Sequence, residues 1–141
     1  MNRFLRCICI LLVMSMLLVI PAFAAETRAS NFFLSSSVYL YKTSSTKFEA
    51  WFDVDAVRMM DELGASEIKI QRSSDNQNWT TMKTYTKDSY SNLICDDTMT
   101  HAACVSYTGT AGYYYRAKIT LYAKNSSGTG EWIRYTSSMK L

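Results

Sequence analysis

One histidine and one proline occur in the whole sequence, His101 and Pro21. The first scarcity limits catalysis. A nucleophile–base pair has to use His101, and no serine or threonine stands in a nucleophile-elbow pattern. A lone histidine is ordinarily a solvated side chain rather than a catalytic base. Pro21 lies in the N-terminal apolar segment, so no proline interrupts the remainder of the chain. An excess of one charge is also missing. The formal net charge of +3 falls to +1 once Arg3 and Arg6 are set aside with that N-terminal segment. A nearly neutral total excludes nucleic-acid or membrane binding driven by charge alone. There is no internal repeat, low-complexity tract or interdomain linker. The closing residues, Thr136 to Leu141, carry no apolar tail or sorting motif.

The N-terminus has the three-part pattern of a secretory signal. Arg3 and Arg6 form a short positive region. Cys7 to Ile20 is an uncharged apolar run of 14 residues, shorter than the roughly 20 a spanning helix needs. Ala22 and Ala24 place small residues where a signal peptidase reads them, predicting cleavage after Ala24, with Ala25 as the neighbouring alternative. No cysteine follows the cleavage box, so a lipoprotein anchor is not expected. The organisation predicted is a signal peptide over 1–24, a flexible arm over 25–31 and a single domain over 32–141. Cleavage leaves 117 of the 141 residues, enough for one domain with a modest core. The expected location is extracellular, without a stable membrane anchor.

Cleavage also removes Cys7 and Cys9, leaving Cys95 and Cys104. In an exported chain two cysteines most simply form one disulfide. This one would close a loop of about ten residues and contribute roughly 2–3 kcal/mol. A metal site is the sharper alternative, because Asp96, Asp97 and His101 lie close by. Their spacing matches no usual zinc pattern. No metal and no cofactor is expected.

The remainder reads as strands separated by Ser-, Asn- and Gly-containing turns. Phe48, Ala50, Phe52, Val54 and Ala56 alternate with polar neighbours over Lys47 to Val57. Arg58 to Leu63 reads as one helical turn stopped by Gly64. Ile68 and Ile70 face inward on a strand from Glu67 to Arg72. The cluster Ser73 to Asn78 turns the chain into Trp79 to Tyr85. A short strand over Ala102 to Tyr107 precedes a second strongly alternating one, Tyr113 to Lys124. Glu131 to Ser137 closes the domain, and Val38 to Lys42 begins it. About seven short strands without intervening helices predict an all-β antiparallel sandwich.

The order of these elements resembles a fibronectin type III or immunoglobulin-like sandwich. The carrying residues are Phe48 to Val54, the hairpin Ile68 to Asp75 leading into Trp79 to Thr81, and Tyr113 to Lys118. Met60 to Ser66, that hairpin and Gly112 to Lys118 are similar to a small secreted family of Gram-positive bacteria, the family of unknown function numbered 6147. The resemblance spans nearly all of the mature chain. It implies an exported sandwich and supplies no activity. Such hairpins usually carry glycine in the turn, whereas Asp75-Asn76-Gln77-Asn78 has none and relies on the tolerance of Asn and Asp for left-handed geometry.

The carboxylate pairs Asp53/Asp55, Asp61/Glu62 and Asp96/Asp97 suit a solvated strand face, a helical turn and a loop. They form no separated glycosidase pair and no calcium-loop motif. The aromatics carry more information. Alternation sends Tyr114, Arg116, Lys118 and Tyr122 outward on one strand, and Trp132 and Arg134 outward on the next. Such a face can stack on sugars or dock a protein. The expected function is therefore a secreted, non-enzymatic binding module recognising a surface glycan, a cell-wall polymer or a protein, with no nucleic acid. The alternative is a small secreted effector such as a toxin or bacteriocin.

Overall fold

β-branched and aromatic residues in a period of two build seven strands. They are β1 (Phe33–Lys42), β2 (Lys47–Ser73), β3 (Thr80–Thr86), β4 (Ile94–Thr108), β5 (Tyr114–Asn125), β6 (Gly128–Tyr135) and β7 (Met139–Lys140). The computed structural model describes residues 31–141. The predicted signal peptide lies outside the described residues, as does the predicted arm apart from Asn31, which is in a turn. Every strand pairing among the described residues is antiparallel, so that part of the chain is all-β as expected. A single 3-10 turn at Ser91–Leu93 is the one helical element among the described residues.

The long strand β2 organises the rest. Its first half pairs β1 on one side, from Phe48 to Ala56, and β4 on the other, from Lys47 to Asp55. Its second half pairs β5 from Glu62 to Ser73 and β3 from Glu67 to Arg72. β6 and β7 extend the sheet from β5. The register shifts between Asp55 and Met60 and again between Ala65 and Glu67. Bulges of this kind bend a strand and increase its twist. The bend is large: Phe48 contacts Tyr115 with ring centroids 5.2 Å apart, although Tyr115 is the register partner of Arg72. A straight strand from residue 48 to residue 72 would span roughly 80 Å. β2 therefore doubles back, and the inward side chains of its first half meet those of β5.

Two expected strands and the helical turn between them are thus one strand. Arg58 to Leu63 does not form a helix. Met60, Leu63, Gly64 and Ala65 are buried, and Glu62 to Gly64 have ladder partners on both sides, in β4 and β5. Two flanking strands that offer hydrogen bonds outweigh a local helical preference of a few tenths of a kcal/mol per residue, about what separates ordinary residues. Gly64 is not a helix cap either. Its φ is +155°, and a Cβ there would sit 1.9 Å from the Leu93 carbonyl oxygen.

The core joins both halves of β2. Phe48, Ala50, Phe52, Val54 and Ala56 come from the first half, Ile68 and Ile70 from the second, and Tyr115, Ala117, Ile119, Leu121 and Ala123 from β5. Contacts at both margins close it. Phe33 of β1 lies 5.9 Å from Trp132 of β6. The Tyr85 hydroxyl of β3 donates to the Ser106 carbonyl of β4 at 2.7 Å. Burial of these side chains contributes about 1.5–3 kcal/mol each for the larger apolar ones.

The Gly-free turn between β2 and β3 is held by Asp75. Its Oδ1 accepts from the backbone N–H groups of Gln77 and Asn78 at 2.9 and 2.8 Å, and its Oδ2 accepts from Asn78 Nδ2 at 2.6 Å. Asn76 takes the left-handed conformation at φ +61°, a geometry that short polar side chains tolerate.

Candidate functional site

Residues directly opposite in an antiparallel pair project from the same side of the sheet. Ile68, Ile70, Ala117 and Ile119 point inward, so their neighbours in sequence point outward. On the outer face formed by β2, β5 and β6, Gln71 lies beside Arg116, Lys69 beside Lys118 and Tyr135, and Glu67 beside Thr120 and Ile133. At one end Ser73, Tyr114 and Lys140 continue the face, and at the other Tyr122 lies beside Glu131.

Arg116 is the centre of this surface. Its guanidinium carbon lies 4.3 Å from the Trp79 ring centroid and 4.9 Å from that of Tyr135. Its Nε–H donates to Gln71 Oε1 at 2.8 Å. Two aromatic flanks and one amide fix a side chain that otherwise has many rotamers. No carboxylate among the described residues forms an ion pair with Arg116, Lys118 or Lys140. Lys140 lies 5.2 Å from the Tyr114 ring centroid, whereas Lys69 is paired with Glu67 at 2.8 Å. A fixed guanidinium with neighbouring unpaired ammonium groups suits a carboxylate or phosphate, and the rings add flat apolar area.

Lys87 marks the far end of the face. Its ammonium is 4.0 Å from the Tyr122 ring centroid and 2.9 Å from Glu62, which also pairs with Lys124 at 2.8 Å. The hydrogen bond from Lys124, then that from Lys87, holds the Glu62 carboxyl below its usual range.

Four of the six expected face residues are brought together here: Tyr114, Arg116, Lys118 and Tyr122. Trp132 and Arg134 are not among them. Trp132 is paired with Leu121 and Arg134 with Ile119, both inward-facing positions. Trp132 packs half-buried against Phe33, with Arg134 over its ring at 4.6 Å. Ile133 and Tyr135, 52% and 50% exposed, take the outward positions instead. The expected face of the last long strand is one residue out of register, and a one-residue slip exchanges its two sides. Gly130 shows which side is covered. A Cβ there would lie 2.6 Å from the Phe32 ring, so the even-numbered positions of β6 face the interior. The sequence places Trp79 at the start of a strand and in the hairpin that carries the resemblance, and its partnership with Arg116 carries no mark in the sequence.

The opposite outer face belongs to β1, β4 and the first half of β2. Tyr39, Trp51 and Cys104 lie side by side, as do Tyr41, Glu49 and Ser106, and Ser37, Asp53 and Ala102. The Tyr39 and Trp51 rings are stacked, 6.2 Å apart with 2° between their planes. Trp51 Nε1–H donates to Glu49 Oε2 at 2.9 Å. Asp53 is exposed, and Asp55 accepts from the Ser35 hydroxyl at 2.6 Å. This face is aromatic and carries three carboxylates, with Lys47 as a cation at its margin.

The expected disulfide is absent, and Cys95 and Cys104 are both free thiols. They occupy one strand, with Cys95 opposite Leu63 and Cys104 opposite Trp51. Nine extended residues span roughly 30 Å when straight, whereas bonded cysteines need Cα atoms within about 7 Å. What reads as a short loop is strand β4. Burial, then the Glu49 carboxylate, raises the Cys104 thiol above its ordinary range. His101 Nε2 is 2.9 Å from the Asn92 carbonyl oxygen, and its ring meets Phe52 edge-on at 5.6 Å. Among the described residues no group of three or more His, Cys, Asp or Glu could hold a metal ion. Asp61, Asp96 and Asp97 are exposed.

No protein-family model and no curated protein matches the chain.

Proposed function

We propose that the protein is a secreted, non-enzymatic binding module whose Trp79–Arg116–Tyr135 face takes a partner bearing acidic groups on a flat or apolar surface. Surface glycans, cell-wall polymers and proteins all offer that chemistry. The observation that carries this reading is the fixing of Arg116 between two rings while Lys118 and Lys140 have no carboxylate partner among the described residues. The N-terminal signal pattern supports secretion. The resemblance to the exported Gram-positive family supports the same setting, and membership of that family is part of the proposal.

The proposed fold is the sandwich of fibronectin type III and immunoglobulin-like domains. Strand adjacency supports it. β1, the first half of β2, and β4 follow the A-B-E adjacency, and the second half of β2, β5 and β6 follow C-F-G. β3 joins the second group, in the position of C′ in variable-type domains.

Binding of the exported protein to glycan arrays, purified cell-wall polymers and surface proteins tests the reading. Arg116→Ala is expected to weaken the interaction by more than about 1 kcal/mol, as an interface anchor does, with melting preserved. Absence of binding across all three classes, with a second copy of the chain counted among the proteins, contradicts it. Growth inhibition of neighbouring cells by the purified protein would favour the effector alternative.

A further inference from the structure

The two outer faces differ in charge and point in opposite directions. The inward side chains of the first half of β2 meet those of β5, which pairs with its second half, at Phe48 and Tyr115. The outward side chains of each half therefore point away from one another. One face carries Glu49, Asp53 and Asp55 around the Tyr39–Trp51 stack. The other carries Arg116, Lys118 and Lys140 beside Trp79 and Tyr135, with Lys69 neutralised by its pair with Glu67.

We propose that the partner of the cationic face is the carboxylate face of a second copy, so that the protein associates head to tail into linear arrays. This rests on the reading of the Arg116 face as a binding face and names its partner. Charge complementarity selects the pairing. Two cationic faces repel when apposed, as do two acidic ones, so a symmetric dimer through either is disfavoured. Carboxylates set against a fixed guanidinium and free ammonium groups attract, and both surfaces bring aromatic rings that bury apolar area on contact. The net charge of +1 expected for the mature chain leaves little long-range repulsion between copies. A contact between two different patches is heterologous, and patches on opposite sides of one molecule propagate a line instead of closing a dimer.

Sedimentation of the exported protein at low and high salt tests this, with two alanine pairs. Trp51→Ala/Asp53→Ala disables the acidic face, and Arg116→Ala/Lys118→Ala disables the cationic one. Both pairs lie on outer faces, and circular dichroism melting verifies folding. If either pair fails to fold, Asp53→Asn and Arg116→Gln replace it. At low salt the wild type is expected to grow beyond dimers as concentration rises, and salt should weaken the association by about tenfold or more. Each alanine pair alone should be monomeric. Their equimolar mixture should give one-to-one dimers and nothing larger, because each supplies the face the other lacks. A wild type that stays monomeric at low salt overturns the proposal. So does a dimer that persists in either alanine pair, or a mixture that remains monomeric. Binding of a surface polymer or protein by the Trp51→Ala/Asp53→Ala variant, which retains the Arg116 face, separates the two failures. If it binds while the wild type does not self-associate, only the head-to-tail inference falls. If it binds nothing, the reading of the face falls with it.

Discussion

The ring of Phe48 lies 5.2 Å from that of Tyr115, yet one residue opens β2 and the other is paired with Arg72 near its end. This contact joins the start of the folded strand to the β5 partner of its end, and both side chains are fully buried. Phe48→Ala should cost about 3–5 kcal/mol in chemical denaturation. The Tyr115 hydroxyl accepts from the Thr110 backbone N–H at 2.7 Å. Tyr115→Phe should therefore cost about 1 kcal/mol, with the ring packing retained. Equal effects of the two substitutions would contradict the packing described.

Gly64 has no room for a side chain, because a Cβ there would fall 1.9 Å from the Leu93 carbonyl oxygen at a φ of +155°. Gly64→Ala should destabilise the protein by more than about 2 kcal/mol, combining steric overlap with an unfavourable backbone angle. Gly112→Ala provides the comparison. It shares a positive φ of +89° but has open space around it, so it should cost clearly less. Denaturation midpoints of the two variants decide between them.

The register of β6 makes a paired prediction. Trp132→Ala should lower stability by about 2 kcal/mol or more, because the ring packs against Phe33. Tyr135→Ala should change stability by no more than about 0.5 kcal/mol, as exposed positions usually do. The reverse order would restore the outward placement of Trp132.

Asp75 gives the β2–β3 turn a defined pH response. The Asn78 backbone N–H, then Ser73 and the Asn78 side chain, hold its carboxyl well below the ordinary value of 3.8. A depressed folded pKa means that the stabilisation is fully present above the unfolded value and is lost as pH falls through the folded one. The melting difference between wild type and Asp75→Asn should therefore be constant near neutrality and shrink below about pH 3.8. A difference that does not change with acidification would contradict this.

The thiols supply a covalent test. Alkylation of unfolded exported protein without reductant should add two labels, one each on Cys95 and Cys104. In the folded protein Cys104 should label slowly at neutral pH, since its thiol is held in the protonated form. A mass two hydrogens lower, with no labels taken up, would show the bond that the strand geometry separates.

Elements with one buried and one solvated side were legible in the sequence. Phe48 to Ala56 and Tyr115 to Ala123 show their alternation directly, and both lie buried where that pattern puts them. The segment from Met60 to Gly64 was not legible, because its extended form depends on β4 and β5 supplying partners from distant sequence. Trp132 to Tyr135 failed for a different reason. All four side chains suit either side of an outer strand, and the choice is made by the Phe32 ring over Gly130. At the candidate site, Arg116 and Lys118 followed from period alone. Tyr135 required cross-strand register, as did the stacking of Tyr39 on Trp51, and Trp79 required the path of the turn before β3.

Parallel measurement of partner binding and melting for wild type, Arg116→Ala and Tyr135→Ala tests the binding role of this face most directly. The predicted result is that both substitutions weaken binding to the same surface partner by more than about 1 kcal/mol while their melting temperatures stay near that of the wild type. Unchanged affinity in both variants, with melting preserved, would contradict it and leave the Arg116 face a solvated sheet surface.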